Sequence, residues 1–154
     1  MSPRVTTLVE HFEHIYLKHV RGLPIVNAAL AVEAVGFREH EGHEIGALIT
    51  PWFMNLVLLP GGEDWADQGQ GESVSIALPG GALDFTLSRD DGLGTYLTAV
   101  LFRTVVDFPS QDIAREIATE VLARLFDEEA AKKASSSNAE TISRRTLFTM
   151  IRGD

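Results

Sequence analysis

Five histidines and no cysteine set the side-chain chemistry open to this 154-residue chain. Without a thiol, thiolate metal sites, cysteine nucleophiles and disulfides are excluded, and a reducing compartment is a natural setting. Two histidine pairs remain as candidate ligands. His11 and His14 lie three residues apart, with Glu10 and Glu13 nearby, and His40 and His43 flank Glu41-Gly42. Neither pair fits the zinc-peptidase pattern, which needs His-Glu-x-x-His on one helix. His11 and His14 lack an identifiable third ligand, so a solvated helix face is the simpler reading. His40-Glu41-Gly42-His43-Glu44 reads first as a hairpin turn, with a metal at His40 and His43 as the alternative. Asp90 and Asp91 are adjacent carboxylates in a turn, which is poor geometry for paired acid–base work. The glycine-rich residues 60–71 (PGGEDWADQGQG) have no Gly-Lys-Ser/Thr and no phosphate-loop spacing. These residues point away from catalysis and toward binding, with no cofactor expected.

The elements around them are organised by residues 43–62, HEIGALITPWFMNLVLLPGG, the longest low-charge run in the chain. Residues 45–60 carry no charge, fall short of the roughly 18–20 needed to span a bilayer, and are split by Pro51. They read as two consecutive strands, or one strand broken by a bulge, with both faces apolar. Such a strand is either covered on both faces or offers one face to a partner.

The flanking periodicities fill in the rest. Ser2-Pro3 reads as a cap and first helical position, and Val5, Leu8, Val9, Phe12, Ile15 and Tyr16 follow at helical spacing until Gly22 and Pro24. Strands are expected at residues 30–38, 73–78, 82–89 and 95–104, joined by glycine-bearing turns. Pro109-Ser110 opens a second helix whose apolar stripe reads Ile113, Ile117, Val121 and Leu125, with Leu122 and Phe126 beside it. Residues 132–140 (KKASSSNAE) read as a linker, and residues 141–154 form an apolar and basic tail. The expected architecture is one α+β domain over residues 1–131. It is a five- to six-stranded antiparallel meander, with the N-terminal and C-terminal helices packed on one sheet face.

At 45% hydrophobic residues the chain is globular, and its net charge of -9 argues against nucleic acid. The same charge favours a basic partner through long-range steering. Residues 1–21 are amphipathic without an apolar h-region, so a cytoplasmic protein with no membrane insertion is expected.

Three blocks of this sequence together resemble the HybE family of nickel–iron hydrogenase assembly chaperones. Ile49-Thr50-Pro51-Trp52-Phe53-Met54 leading to Leu59-Pro60-Gly61 is similar to that family's I-T-P-W strand ending in P-G. Leu78-Pro79-Gly80-Gly81 through Phe85, with Tyr96-Leu97 later, is similar to its L-P-x-G-x-x-x-F and Y-L. Ser143-Arg144-Arg145 with Leu147 is similar to its C-terminal R-R-x-L. The resemblance implies an accessory protein, not an enzyme, that holds an immature hydrogenase small or large subunit. Some relatives are linked to the twin-arginine export leader of the small subunit, and some carry a fused rubredoxin domain. That iron site needs cysteines, which are absent here.

The expected partner site follows. Trp52, Phe53 and Met54 would line an apolar groove, the alternative being that Trp52 and Phe53 are ordinary core, while some of Glu63, Asp64, Asp67 and Glu72 would meet the leader's arginines. Trp65 either folds back over the sheet edge or stands out as a binding anchor. In the tail, Ser143-Arg144-Arg145-Thr146-Leu147-Phe148 resembles the twin-arginine motif itself. It would either mimic the leader in the groove, in this chain or a neighbouring copy, or tie the terminus to the sheet. Self-association stays open. The alternative function is delivery of a metal or small molecule by the histidines.

Overall fold

The computed structural model describes residues 2–62, 65, 68–90 and 92–127. Ser2 caps the first helix, α1 (Pro3–Ile15), by accepting the Val5 N–H on its hydroxyl at 3.2 Å. Pro3 suits the first position because its missing N–H would have had no partner there. Past Ile15 the helix widens into a π-helical turn (Tyr16–Val20), and the chain then leaves helical geometry, with Gly22 at a φ of 91°.

Six strands follow: β1 (Glu33–His40), β2 (His43–Ile49), β3 (Met54–Leu59), β4 (Ser73–Leu78), β5 (Gly81–Asp90) and β6 (Gly94–Phe102). The first strand begins and ends later than its apolar pattern predicts. Its register shifts between Val35 and Arg38, where Gly36 adopts a φ of 65°. The β1–β2 turn puts Glu41 and Gly42 at φ values of 51° and 84°, the left-handed geometry that a two-residue hairpin demands. The second helix, α2 (Gln111–Leu125), is capped by Ser110, whose hydroxyl accepts the Ile113 N–H at 3.3 Å.

All pairings are antiparallel, but the order β1-β2-β3-β6-β5-β4 is not that of one continuous meander. Two three-stranded meanders join along β3 and β6. Described residues of the link between them lie at the end of the sheet where β2 begins. Gly61 N–H donates to His43 Nδ1 (2.9 Å), and the Arg89 guanidinium donates to the Gln68 carbonyl (3.0 Å).

The helices cover opposite faces of the sheet rather than one. Ala114, Ala118, Val121, Leu122 and Leu125 of α2 pack with Ile45, Ala47, Ile49, Met54, Leu56 and Leu58. Val5, Leu8 and Phe12 of α1 pack with Leu48, Val57 and Leu59 on the other side. Alternate residues of β2 and β3 feed two cores, which is why their sequence is apolar on both faces. The buried stripe of α2 is rotated from the expected one: Ile113 is 38% exposed, while Ala114 and Ala118 are fully buried. Alanines let the helix approach the sheet closely. A Cβ on Gly36 would lie 2.6 Å from Leu122 Cδ1.

The sheet curls around α2 until its two edge strands approach. His40 Nε2–H of β1 donates to the Ala77 carbonyl of β4 at 3.0 Å. Gly80 N–H, in the β4–β5 turn, donates to the Leu125 carbonyl at 2.6 Å and satisfies a C-terminal carbonyl of α2. A side chain at Gly80 would place its Cβ 2.8 Å from that oxygen, so the turn requires glycine. At the other end of α2, Glu33 accepts from Arg115 Nε (2.7 Å) and from Gln111 Nε2 (2.7 Å).

Candidate functional site

The Thr50-Pro51-Trp52-Phe53 connection between β2 and β3 is held by Thr50, whose side chain is fully buried. Its hydroxyl accepts the N–H groups of Trp52 (3.2 Å) and Phe53 (2.9 Å) and donates to the Phe53 carbonyl (3.0 Å). The Asn27 N–H donates to the Pro51 carbonyl (2.7 Å), and the Asn27 amide donates to the Val105 (2.9 Å) and Phe108 (2.8 Å) carbonyls. With its backbone groups paired in this way, the loop presents two aromatic side chains from a fixed base.

Those rings join an aromatic cluster under α1. Trp52 stacks on Tyr16 of the π turn, with centroids 6.1 Å apart and planes 17° apart. Phe53 meets Trp52 edge-on at 5.1 Å and Phe12 edge-on at 5.6 Å. One side of the pair opens on a groove of about 340 Å³ lined by Ile25, Trp52, Phe53, Asn55, Val100 and Arg103. Ile25 and Val100 are 50% and 51% exposed, so its apolar walls are in solvent, and Arg103 and Thr104 line it too. Asn55 is the single polar residue of β3, and its Oδ1 is buried without a hydrogen-bond partner among the described residues.

Beyond Val100 the same face continues as open sheet. Thr98 and Val100 of β6 lie on the side that α1 covers elsewhere, as does Thr86 of β5, which pairs with Thr98. Two residues along β5, Asp84 occupies the same face, paired with Ser75 of β4, and both are exposed. One carboxylate, Asp84, and the hydroxyls of Ser75, Thr86 and Thr98 therefore share the face beside the groove. At the far end of this face, Asp90 Oδ2 accepts from Tyr96 Oη (2.6 Å) and from His11 Nε2 (3.2 Å). Burial, then the bond to Asp90, pushes the Tyr96 hydroxyl well above the usual phenol range.

The expected site residues divide. Trp52 and Phe53 share the groove wall. Met54 has no exposed surface and points into the α2 core, because the pleat turns it to the other face from Asn55. Trp65 lies at the opposite end of β2, roughly 20 Å away at strand spacing. It packs there against His43, with ring centroids 4.9 Å apart. The two tryptophans therefore do not form one site. Glu72 is exposed on the same distant link. Glu63, Asp64 and Asp67, together with Arg144 and Arg145, lie outside the described residues, as do the linker and tail.

The histidine pairs part as well. His11 is not on a solvated face; it pins α1 to Asp90. His40 faces Ala77 and Phe126, whereas His43 faces Gly61 and Trp65. Among the described residues no three histidine or carboxylate side chains converge as metal ligands. Sequence reasoning missed Asn55 and Asp84. The available signal for Asn55 was a lone amide inside Met-Asn-Leu-Val-Leu-Leu.

The chain is similar in sequence and fold to known proteins. The chain is 39% identical over 143 residues to a probable rubredoxin, HupJ, of Rhodobacter capsulatus, covering 92% of this chain and 51% of the relative. It thus spans about half the length of that protein. It is 41% identical over 127 residues to the hydrogenase expression/formation protein HupT of Azotobacter chroococcum, covering 82% and 85% of the two chains. The solution structure of HybE from Escherichia coli shares the fold, with a TM-score of 0.65 and 23% identity over 80% of this chain and 76% of that one. A family model described as "[NiFe]-hydrogenase assembly, chaperone, HybE" matches residues 3–150. With that span and the HupT relationship, the chain belongs to the HybE family of [NiFe]-hydrogenase assembly chaperones.

Proposed function

We propose that this chain is a non-catalytic cytoplasmic chaperone that holds an immature hydrogenase subunit before assembly and export, with the twin-arginine leader of the small subunit as its ligand. The observation that carries this reading is the groove beside Trp52 and Phe53. Its walls at Ile25, Trp52, Phe53 and Val100 are apolar, its base is held by Thr50, Arg103 also lines it, and Asp84 stands exposed on the adjoining face. A leader that is basic and then apolar has the complementary layout. No described helix is long and apolar enough to cross a membrane.

Titration calorimetry with a synthetic small-subunit leader, at low and moderate salt, tests the proposal. Binding that weakens as salt rises is expected, because exposed charge pairs are screened over a Debye length of about 8–10 Å. Trp52→Ala is expected to weaken it about tenfold or more while the fold persists. Absence of binding at either salt would sink the leader as ligand and direct the search to the folded body of each subunit by pull-down.

A further inference from the structure

We infer that Asn55 and Asp84 form a two-point reader for the leader's arginine–apolar spacing, a specificity device that rests on the leader reading above. The unpaired Oδ1 of Asn55 is the starting observation. A buried acceptor without a donor is costly, and an apolar residue would fit the floor of this groove at least as well. An amide oxygen unpaired at this position is satisfied when a ligand supplies the donor.

Two donors are at hand in such a peptide, a guanidinium and a backbone N–H. Arg103 lines the same groove and repels a second cation. The donor to Oδ1 is therefore the backbone N–H of the residue whose large apolar side chain lies between Ile25, Phe53 and Val100. The arginines belong on the far side of Val100. Asn55 is paired with Val100 across β3 and β6, and Asp84 lies one strand further, on β5. At about 4.8 Å per strand, Asp84 stands about 10 Å from Asn55. An extended peptide covers about 7–10 Å in two to three residues. That is the separation of the two arginines from the first apolar residue in R-R-x followed by two large apolar residues. A leader crossing the strands thus sets an arginine at Asp84, with hydroxyls of Thr86 and Thr98 alongside, as the apolar residue enters the groove.

The test is a double-mutant cycle in the full-length protein, read by calorimetry with synthetic leaders. The first leader is unmodified, and the second is N-methylated at the first apolar residue after the arginine pair. N-methylation is expected to weaken binding to the wild type about tenfold and to have little effect on binding to Asn55→Leu. Asn55→Leu should itself bind the unmodified leader about tenfold more weakly while its Tm stays equal or rises, because a buried unpaired polar group has been removed. Asp84→Asn should weaken binding several-fold and flatten its salt dependence, and replacing both arginines of the peptide should add little further loss in that variant. Equal penalties from N-methylation in the wild type and Asn55→Leu would overturn the Asn55 contact. A lower Tm in Asn55→Leu would instead make Asn55 structural. If the wild type binds and Asp84→Asn keeps its full salt dependence, the reader fails while leader binding stands. If the wild type fails to bind, both readings fall together.

Discussion

Thr50 shows how much of a binding surface rests on one hydroxyl. Its three hydrogen bonds fix the turn that aims Trp52 and Phe53, and it does so from full burial. Thr50→Val keeps the shape and removes the bonds, leaving two N–H groups short of an acceptor. A loss of about 2 kcal/mol in unfolding free energy is expected by denaturant titration, accompanied by weaker leader binding. At this scale the sequence was half legible. A groove lined by Trp52, Phe53 and Met54 was expected, and the first two do line one groove. Met54 did not follow them, because a pleat reverses the face at every residue and the chain enters β3 there. Asn55 was invisible without the groove, since a lone amide in a strand reads as an ordinary edge or surface position.

At the scale of elements, the helix ends were readable from their capping chemistry. Ser2-Pro3 and Ser110 mark the starts, and Gly22 marks the exit from the first helix. Their faces were harder. Alanines carry little weight in an apolar pattern, so the Ala114–Ala118 contact of α2 was hidden behind the larger Ile113 and Ile117. What locks α2 to β1 is polar as well as apolar. The hydrogen bond from Arg115 holds Glu33 below its ordinary carboxylate pKa of 4.5, against a partial opposing effect of burial. A lowered folded-state pKa contributes stability that is fully present above 4.5 and is lost as pH falls through the folded value. Glu33→Gln should therefore lower Tm near pH 7, and the gap from wild type should close as pH drops below that range. Thermal scans across roughly pH 3–7 would show it. A constant gap would mean that packing, not charge, joins the elements.

At the scale of the whole molecule, one sheet separates two differently covered faces. α2 fills the inside of the curl and is clasped by both edge strands through His40, Ala77 and Gly80. Drawing the edges in around a helix also shields unpaired strand groups that would otherwise invite pairing with another chain. α1 covers part of the outer face, reaches the end of β5 at Asp90 through His11, and leaves Asp84 and Thr86 exposed on the open surface where the proposed ligand rests. The sequence foresaw the strands and their turns but not this arrangement. Hairpins are written locally in Glu41-Gly42 and Gly80-Gly81, whereas the join between β3 and β6 has no local signal.

That join has a kinetic meaning. Each meander closes through neighbouring strands, so its loops are short and quickly formed, whereas Asn55 must find Val100 across an intervening meander. The rate of refolding is expected to be set at that seam. Val57→Ala, on the seam, and Val35→Ala, on the outer strand, should each cost about 2 kcal/mol. In stopped-flow refolding the first should chiefly slow folding and the second chiefly speed unfolding; the reverse pattern would place nucleation in the first meander. Asn55 and Val100, the two sides of the proposed groove, belong to different meanders. The groove therefore does not exist in either half alone, and a chain that has not completed its slowest step cannot engage a client through it.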